Sequence, residues 1–169
     1  MAEVTLILSE ETLKERSSVH SNIDAKLITP YIKIAQDIHI EPILGTTLYK
    51  KILSLIPNLT GDYKNLVDDY IIEPLIHFTL YYLPVSLSLQ YYNRGIQKKS
   101  GDNADAVTMQ ELRELQNDSK RIAEFYGNKL KDYLKEKSTS SFLPEYILSD
   151  SGCNIVQPEC KVYTTPFCL

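Results

Sequence analysis

Glu73 and His77 stand one helical turn apart and so share one face of a helix. Such a pair can hold a metal or share a proton. A di-iron bundle, however, needs Glu-x-x-His on two helices plus further glutamates, and neither helix has that spacing. Asp37, His39 and Glu41 alternate, which would gather them only on a strand, and their surroundings read as helix. Asp37 and Asp69 suit a helix cap or a basic partner better than general-base work. There is no Gly-rich phosphate loop, no Gly-x-Ser-x-Gly elbow and no His-Glu-x-x-His. Cys153, Cys160 and Cys168 form no Cys-x-x-Cys pair, and His20, His39 and His77 are distant in sequence. Free thiols in a reducing compartment are expected rather than a zinc site. The polar stretch from Asn93 to Ala106 lacks the spacing of a calcium loop. No enzyme activity, cofactor or metal is expected.

The elements around these residues carry more information. The run from Tyr31 to Tyr49, YIKIAQDIHIEPILGTTLY, has apolar residues at helical spacing up to Pro42 and Gly45. Proline lacks the helix-interior N–H and clashes with the preceding turn, so Pro42 should kink the helix or begin a new one. Gly45 suits a left-handed stop. Thr47, Leu48 and Tyr49 then resume an apolar stripe. Two helical pieces joined at a fixed elbow are expected. The same wording returns 32 positions later: Asp37, Ile40, Glu41, Pro42, Thr47, Leu48 and Tyr49 match Asp69, Ile72, Glu73, Pro74, Thr79, Leu80 and Tyr81. One echo is too little for a repeat architecture, which needs about three units to close a core. It does predict two Glu-Pro bends in helical context.

The chain has 169 residues, enough for one domain with a proper core. Its net charge of −4 argues against a dedicated DNA-coating surface. The first residues have an acid where a signal peptide needs a basic region. The most apolar stretch, Pro74 to Leu89, is short of a membrane span and reads as a buried helix. Glu3 to Leu8 alternates weakly as a short strand would. Ser9 should cap a short helix, and either Asp24 or Thr29-Pro30 the next. Asp62 should cap a third. Leu75, Phe78, Tyr82, Val85, Leu89 and Tyr92 form one stripe on a helix that is apolar nearly all round. Thr108 to Glu111 reads as a capping box. It opens a long amphipathic helix with an apolar side at Leu112, Leu115, Ser119, Ile122, Tyr126, Leu130 and Tyr133. From Ser138 the helical period is lost, yet Phe142, Tyr146, Val162, Tyr163 and Phe167 would be costly to leave in water. An extended arm that docks on its own core or on another chain is expected, with Lys161 to Thr165 the best segment for strand addition. The fold class is thus all-α: a kinked helical bundle over 1–137, with a short strand or helix at its start, and an extended arm over 138–169. Twelve tyrosines without a tryptophan suit subunit contacts.

The string DAKLITPYIKIAQDIHIEPILGTTLY over 24–49, preceded by LSEETLKERS over 8–17, resembles the opening helices of head–tail connector proteins of tailed bacteriophages. The resemblance is to those of crAss-like and other Bacteroidetes phages. It covers about the first third in detail and the rest in outline. It implies a helical subunit of a virion neck, assembled as a homo-oligomeric ring, typically dodecameric, below the portal protein. Such a ring extends the DNA channel without sequence-specific DNA binding, does not enter a membrane, and seats the next neck or tail component. On this resemblance Asp37, Pro42, Gly45, Leu48 and Tyr49 shape the elbow and are structural. Tyr82, Tyr92, Tyr126, Tyr133, Phe142, Tyr146, Val162, Tyr163 and Phe167 are the candidate interface residues. Two other classes remain open: a non-viral helical interaction module using the Thr108 to Lys137 face, and a di-metal bundle enzyme.

Overall fold

The computed structural model describes residues 5–92, 95–98, 107–137, 142–147, 156, 158 and 159. Ser9 opens helix α1 (Glu10–Arg16), its hydroxyl accepting from the Thr12 N–H at 3.1 Å. The expected strand is absent at 5–8, and residues 1–4 lie outside the described residues. Residues 7 and 8 are instead buried in loop conformation: the Ile7 N–H donates to a side chain, the Gln36 Oε1, rather than to a strand partner. Asp24 caps α2 (Ala25–Ala35) through Lys26 N–H at 3.0 Å, and Pro30 is carried inside that helix. Of the two starts the sequence left open, the chain takes the earlier.

Both Glu-Pro bends carry a π-turn, set one residue further from the proline in the second. A five-residue π-turn spans Gln36–Ile40 before Pro42, and another spans Val67–Ile71 before Pro74. Each closes with an i→i−5 bond, Glu41 N–H to Gln36 O and Ile72 N–H to Val67 O. The wide turn absorbs the carbonyl that a proline ring would strike and that its missing N–H leaves unpaired. After the first π-turn comes α3 (Glu41–Leu44), then a break at Gly45 and α4 (Thr46–Leu55). α5 (Gly61–Leu66) leads into the second π-turn, and its N-cap is Thr60. Asp62, expected at that cap, sits in the first turn, because Gly61 with φ +57° already starts the helix.

α6 (Ile72–Ser88) packs against α2 and against the long α7 (Met109–Lys137), which explains its apolar surround. It is shorter than its apolar pattern suggests. Leu89 and Tyr92 belong to β1 (Leu89–Tyr92), paired antiparallel with β2 (Gly95–Lys98), where a polar loop was expected. The β-favouring composition of Leu-Gln-Tyr-Tyr followed by Gly95 and Ile96 fits that outcome. The rest of that stretch, 93, 94 and 99–106, lies outside the described residues. The capping box at α7 forms as expected: Thr108 N–H donates to Glu111 Oε2 at 2.8 Å and Glu111 N–H to Thr108 Oγ1 at 3.2 Å. These bonds hold the Glu111 carboxyl below its ordinary range.

The buried side of α7 is rotated from the expected one. Leu112, Ser119, Ala123, Gly127, Leu130 and Leu134 face the core, while Leu115 and Ile122 stay exposed. Small residues at 119 and 123 suit the close packing of α6 on α7, and a stripe chosen by size alone skips Ala123 and Gly127. Part of the C-terminal arm is folded onto the bundle. α8 (Pro144–Ile147) packs on α4, with Leu143 and Tyr146 buried and the Tyr63 hydroxyl donating to Glu145 at 2.7 Å.

Candidate functional site

The elbow is held from inside by one buried amide. Gln36 is fully buried at the start of the first π-turn. Its Oε1 accepts from Ile7 N–H at 2.8 Å, and its Nε2 donates to the Tyr49 hydroxyl at 2.6 Å. That hydroxyl donates to Asp37 Oδ1 at 2.7 Å, and Asp37 is also paired with Lys33. The loop before α1, the π-turn and α4 are thus tied at one point. Burial, then the Asp37 carboxylate, push the Tyr49 hydroxyl well above its ordinary pKa. Asp37 and Tyr49, both expected at the elbow, are brought together, and Leu48 is fully buried. Gln36 was read only as part of a motif string, although a glutamine on the apolar face of a helix is the signal of a buried hub.

From outside, residues 156, 158 and 159 lie across the elbow as a strap. A four-residue helix such as α3 pairs few of its own backbone groups. The strap supplies partners: Thr46 N–H donates to Val156 O at 2.9 Å, and Glu159 N–H to Pro42 O at 3.0 Å. Val156 N–H donates to Thr46 Oγ1 at 2.9 Å, and that hydroxyl donates to Glu41 Oε1 at 2.8 Å. Gly45 has φ +76° and ψ 151°, a conformation close to glycine's alone rather than the expected left-handed helical one. A Cβ there would stand 2.7 Å from Pro158 Cδ and Cγ. Gly45 is therefore fixed twice, by its backbone and by the proline against it. Glu159 also pairs with Lys131 on α7 at 2.6 Å.

Beside the strap a cleft of about 330 Å³ opens between the π-turn, α3, α6 and α7. His39 stacks flat on Phe78 there, with ring centroids 3.8 Å apart, and its Nε2 lies 3.0 Å from the Tyr82 hydroxyl. Burial, then the nearby Lys120 ammonium, lower the His39 pKa, so the ring is neutral at pH 7. Glu124, Asn128, Lys131 and Glu159 line the mouth. A second, apolar groove of about 420 Å³ lies between the α1–α2 loop, α6 and the start of α7.

Glu73 and His77 are adjacent but differently engaged. Glu73 is paired with Arg16 of α1, and His77 stacks on Tyr126 at 5.9 Å. Burial lowers the His77 pKa. Among the described residues no cluster of three or more His, Cys, Asp or Glu is arranged to hold a metal ion. Of the expected interface residues, Tyr82 is turned toward His39 and Tyr133 stacks on Tyr70 at 3.9 Å. Phe142 is half-buried against the core, and Tyr146 is only 4% exposed. The Tyr92 side chain, Val162, Tyr163, Phe167, the strand-addition segment and the three cysteines lie outside the described residues. The large apolar side chains that remain exposed are others, notably Ile38, Leu115 and Phe125. No described helix is long and apolar enough to cross a membrane.

A family profile described as a family of unknown function (DUF6712) matches residues 40–155. No curated protein and no solved structure matches the chain.

Proposed function

The chain belongs to the DUF6712 family, whose function is unknown, and on that premise we propose that it is a structural subunit acting by assembly, a ring component of a phage head–tail connector. The reading places it in the virion neck below a portal protein, with DNA passing through the ring. One observation carries it. The polar groups of the elbow are spent on one another and on the strap, while α7 keeps Leu115, Ile122 and Phe125 exposed at 53%, 36% and 67%. Spaced at i, i+7 and i+10, these three lie on one side of the helix, and apolar side chains gathered in a patch mark a contact surface where single ones do not. The resemblance over 8–17 and 24–49 supplies the kind of assembly. The bend it implied at Asp37, Pro42 and Gly45 is a stiff, internally satisfied unit, suited to holding two helices at a set angle under load.

The test is assembly itself. The full chain is examined by native mass spectrometry and negative-stain imaging, alone and with the portal protein encoded in the same genome. Closed rings, free or on the portal, are expected. A strictly monomeric protein that ignores the portal overturns the reading.

A further inference from the structure

We propose that copies of this chain join head to tail, Phe125 of one copy entering the cleft beside His39 of the next. The proposal rests on the assembly reading and names the contact that assembly uses. Phe125 is the most exposed large apolar side chain among the described residues. Ile122, one turn earlier, is also exposed, and the ring of Tyr126 meets Phe125 edge-on at 5.4 Å. Together they make a firm knob on one side of α7.

The hole is on a different side of the same turn. Its floor is Ile43, Phe78 and Gly127, and Ile38 stands at its edge, 54% exposed. The face of an aromatic ring entering there meets the stacked pair of His39 and Phe78. The space suffices: a cavity of about 150 Å³ holds a benzene, and this cleft measures about 330 Å³. Gly127 keeps the floor bare. A Cβ there would sit 3.7 Å from Ile43 Cδ1 and 4.0 Å from Phe78 Cε2, which is ordinary contact. Alanine would therefore fit and would favour the helix, so packing within the chain gives no reason for the glycine. A guest in the cleft does.

Charge points to the same pairing. The charges nearest Phe125 on its face are Arg121 and Lys129 at i−4 and i+4, with Asp118 and Asp132 two turns away, and the cleft is rimmed by two acids, Glu124 and Glu159, against one base, Lys131. These groups also have partners within the chain: Asp118 for Arg121 at 3.3 Å, the Tyr70 ring for Lys129 at 5.6 Å, Lys120 for Glu124 at 3.7 Å, and Lys131 for Glu159. Such exposed pairs are weak and exchange readily. Because knob and hole are different surfaces, the contact is heterologous and repeats from copy to copy, as a ring requires.

A photo-reactive benzoylphenylalanine is placed at 125 of the full chain, and equal amounts of ¹⁵N-labelled and unlabelled protein are assembled, with the portal protein if that is needed. Mixed-isotope cross-links to peptides holding residues 38–43 or 78 are expected. Assembly with cross-links elsewhere overturns the contact and leaves the assembly reading standing. No association under either condition overturns both. Phe125→Asp, on the surface, is expected to weaken self-association about 10- to 100-fold. Gly127→Leu, checked for folding by circular dichroism, is expected to do so from the other side. Each variant alone should fail to assemble, and a mixture of the two should stop at a dimer. Assembly of Phe125→Asp at the wild-type concentration overturns the proposal even if Gly127→Leu misfolds.

Discussion

Residues 37–49 and 69–81 share their key words, both carry a π-turn before Glu-Pro, and yet they end differently. In the first, the helix lasts one more turn and breaks at Gly45. In the second, His77 stands where Gly45 would be, and α6 continues to Ser88. The matched tyrosines diverge in consequence. Tyr49 is buried and locked to Gln36 and Asp37, whereas Tyr81 is half-buried and meets Tyr82 edge-on at 4.8 Å. The glutamates diverge too: Glu41 accepts from Thr46 inside the elbow, and Glu73 reaches across to Arg16. A π-turn before proline therefore accommodates the ring without deciding direction. The residue three places after the proline decides it, according to whether it can leave helical backbone for a glycine-only region.

The largest expected effect is at that position. Gly45→Ala should destabilise the fold by about 2–4 kcal/mol, from backbone strain plus the contact with Pro158. His77→Gly in the echo should cost less, about 1–2 kcal/mol, from helix propensity and the lost stack on Tyr126. Urea unfolding of both variants checks the order. Equal losses would mean that the two bends are not distinguished as described.

Next comes the hub. Gln36→Leu keeps the size but leaves the buried Ile7 N–H and the Tyr49 hydroxyl short of partners, at about 1–3 kcal/mol. Hydrogen exchange should report faster exchange at Ile7 and in α4, with α6 little changed. The echo has Asp68 at the matching place, exposed, and Asp68→Ala should be nearly silent.

On the acid side the pH response has the same sign in both regions. His39, beside the elbow, and His77, in the echo, both have pKa values lowered from 6.5 by burial. The unfolded chain then binds protons first, so stability is full above about 6.5 and falls as pH drops through the folded values. His39→Phe, which keeps the stack on Phe78, should flatten part of that acid-side loss in a series of thermal melts. At the other end, burial and then Glu145 push the Tyr63 hydroxyl up to about 12. Its contribution is present below the unfolded value of 10.0 and is lost as pH rises toward 12. The docking of α8 on α4 should therefore loosen on the alkaline side.

The smallest effect expected is a gain. Gly127→Ala should stabilise the isolated subunit by up to about 1 kcal/mol, because its methyl group finds room. A loss instead would mean that the bundle, and not a guest, needs the glycine.

Local chemistry was legible in the linear chain. Ser9 and the Thr108–Glu111 box announced helix starts because a cap is a contact within three residues, which spacing alone specifies, whereas Asp24 was one of two starts that spacing left open. The two Glu-Pro bends and the stop at Gly45 were legible for the same reason. Proline and glycine act through their own backbone. What only the tertiary structure decided was every partnership across distance. Gln36 became a hub because Ile7 and Tyr49 arrive there from either side. Ala123 turned inward against α6, which placed Leu115 and Ile122 outside. Pro158 settled on Gly45 from more than a hundred residues away. Periodicity says that a helix has an apolar side. Which part of that side is covered depends on the shape of what packs against it, and that shape is written in other segments of the chain.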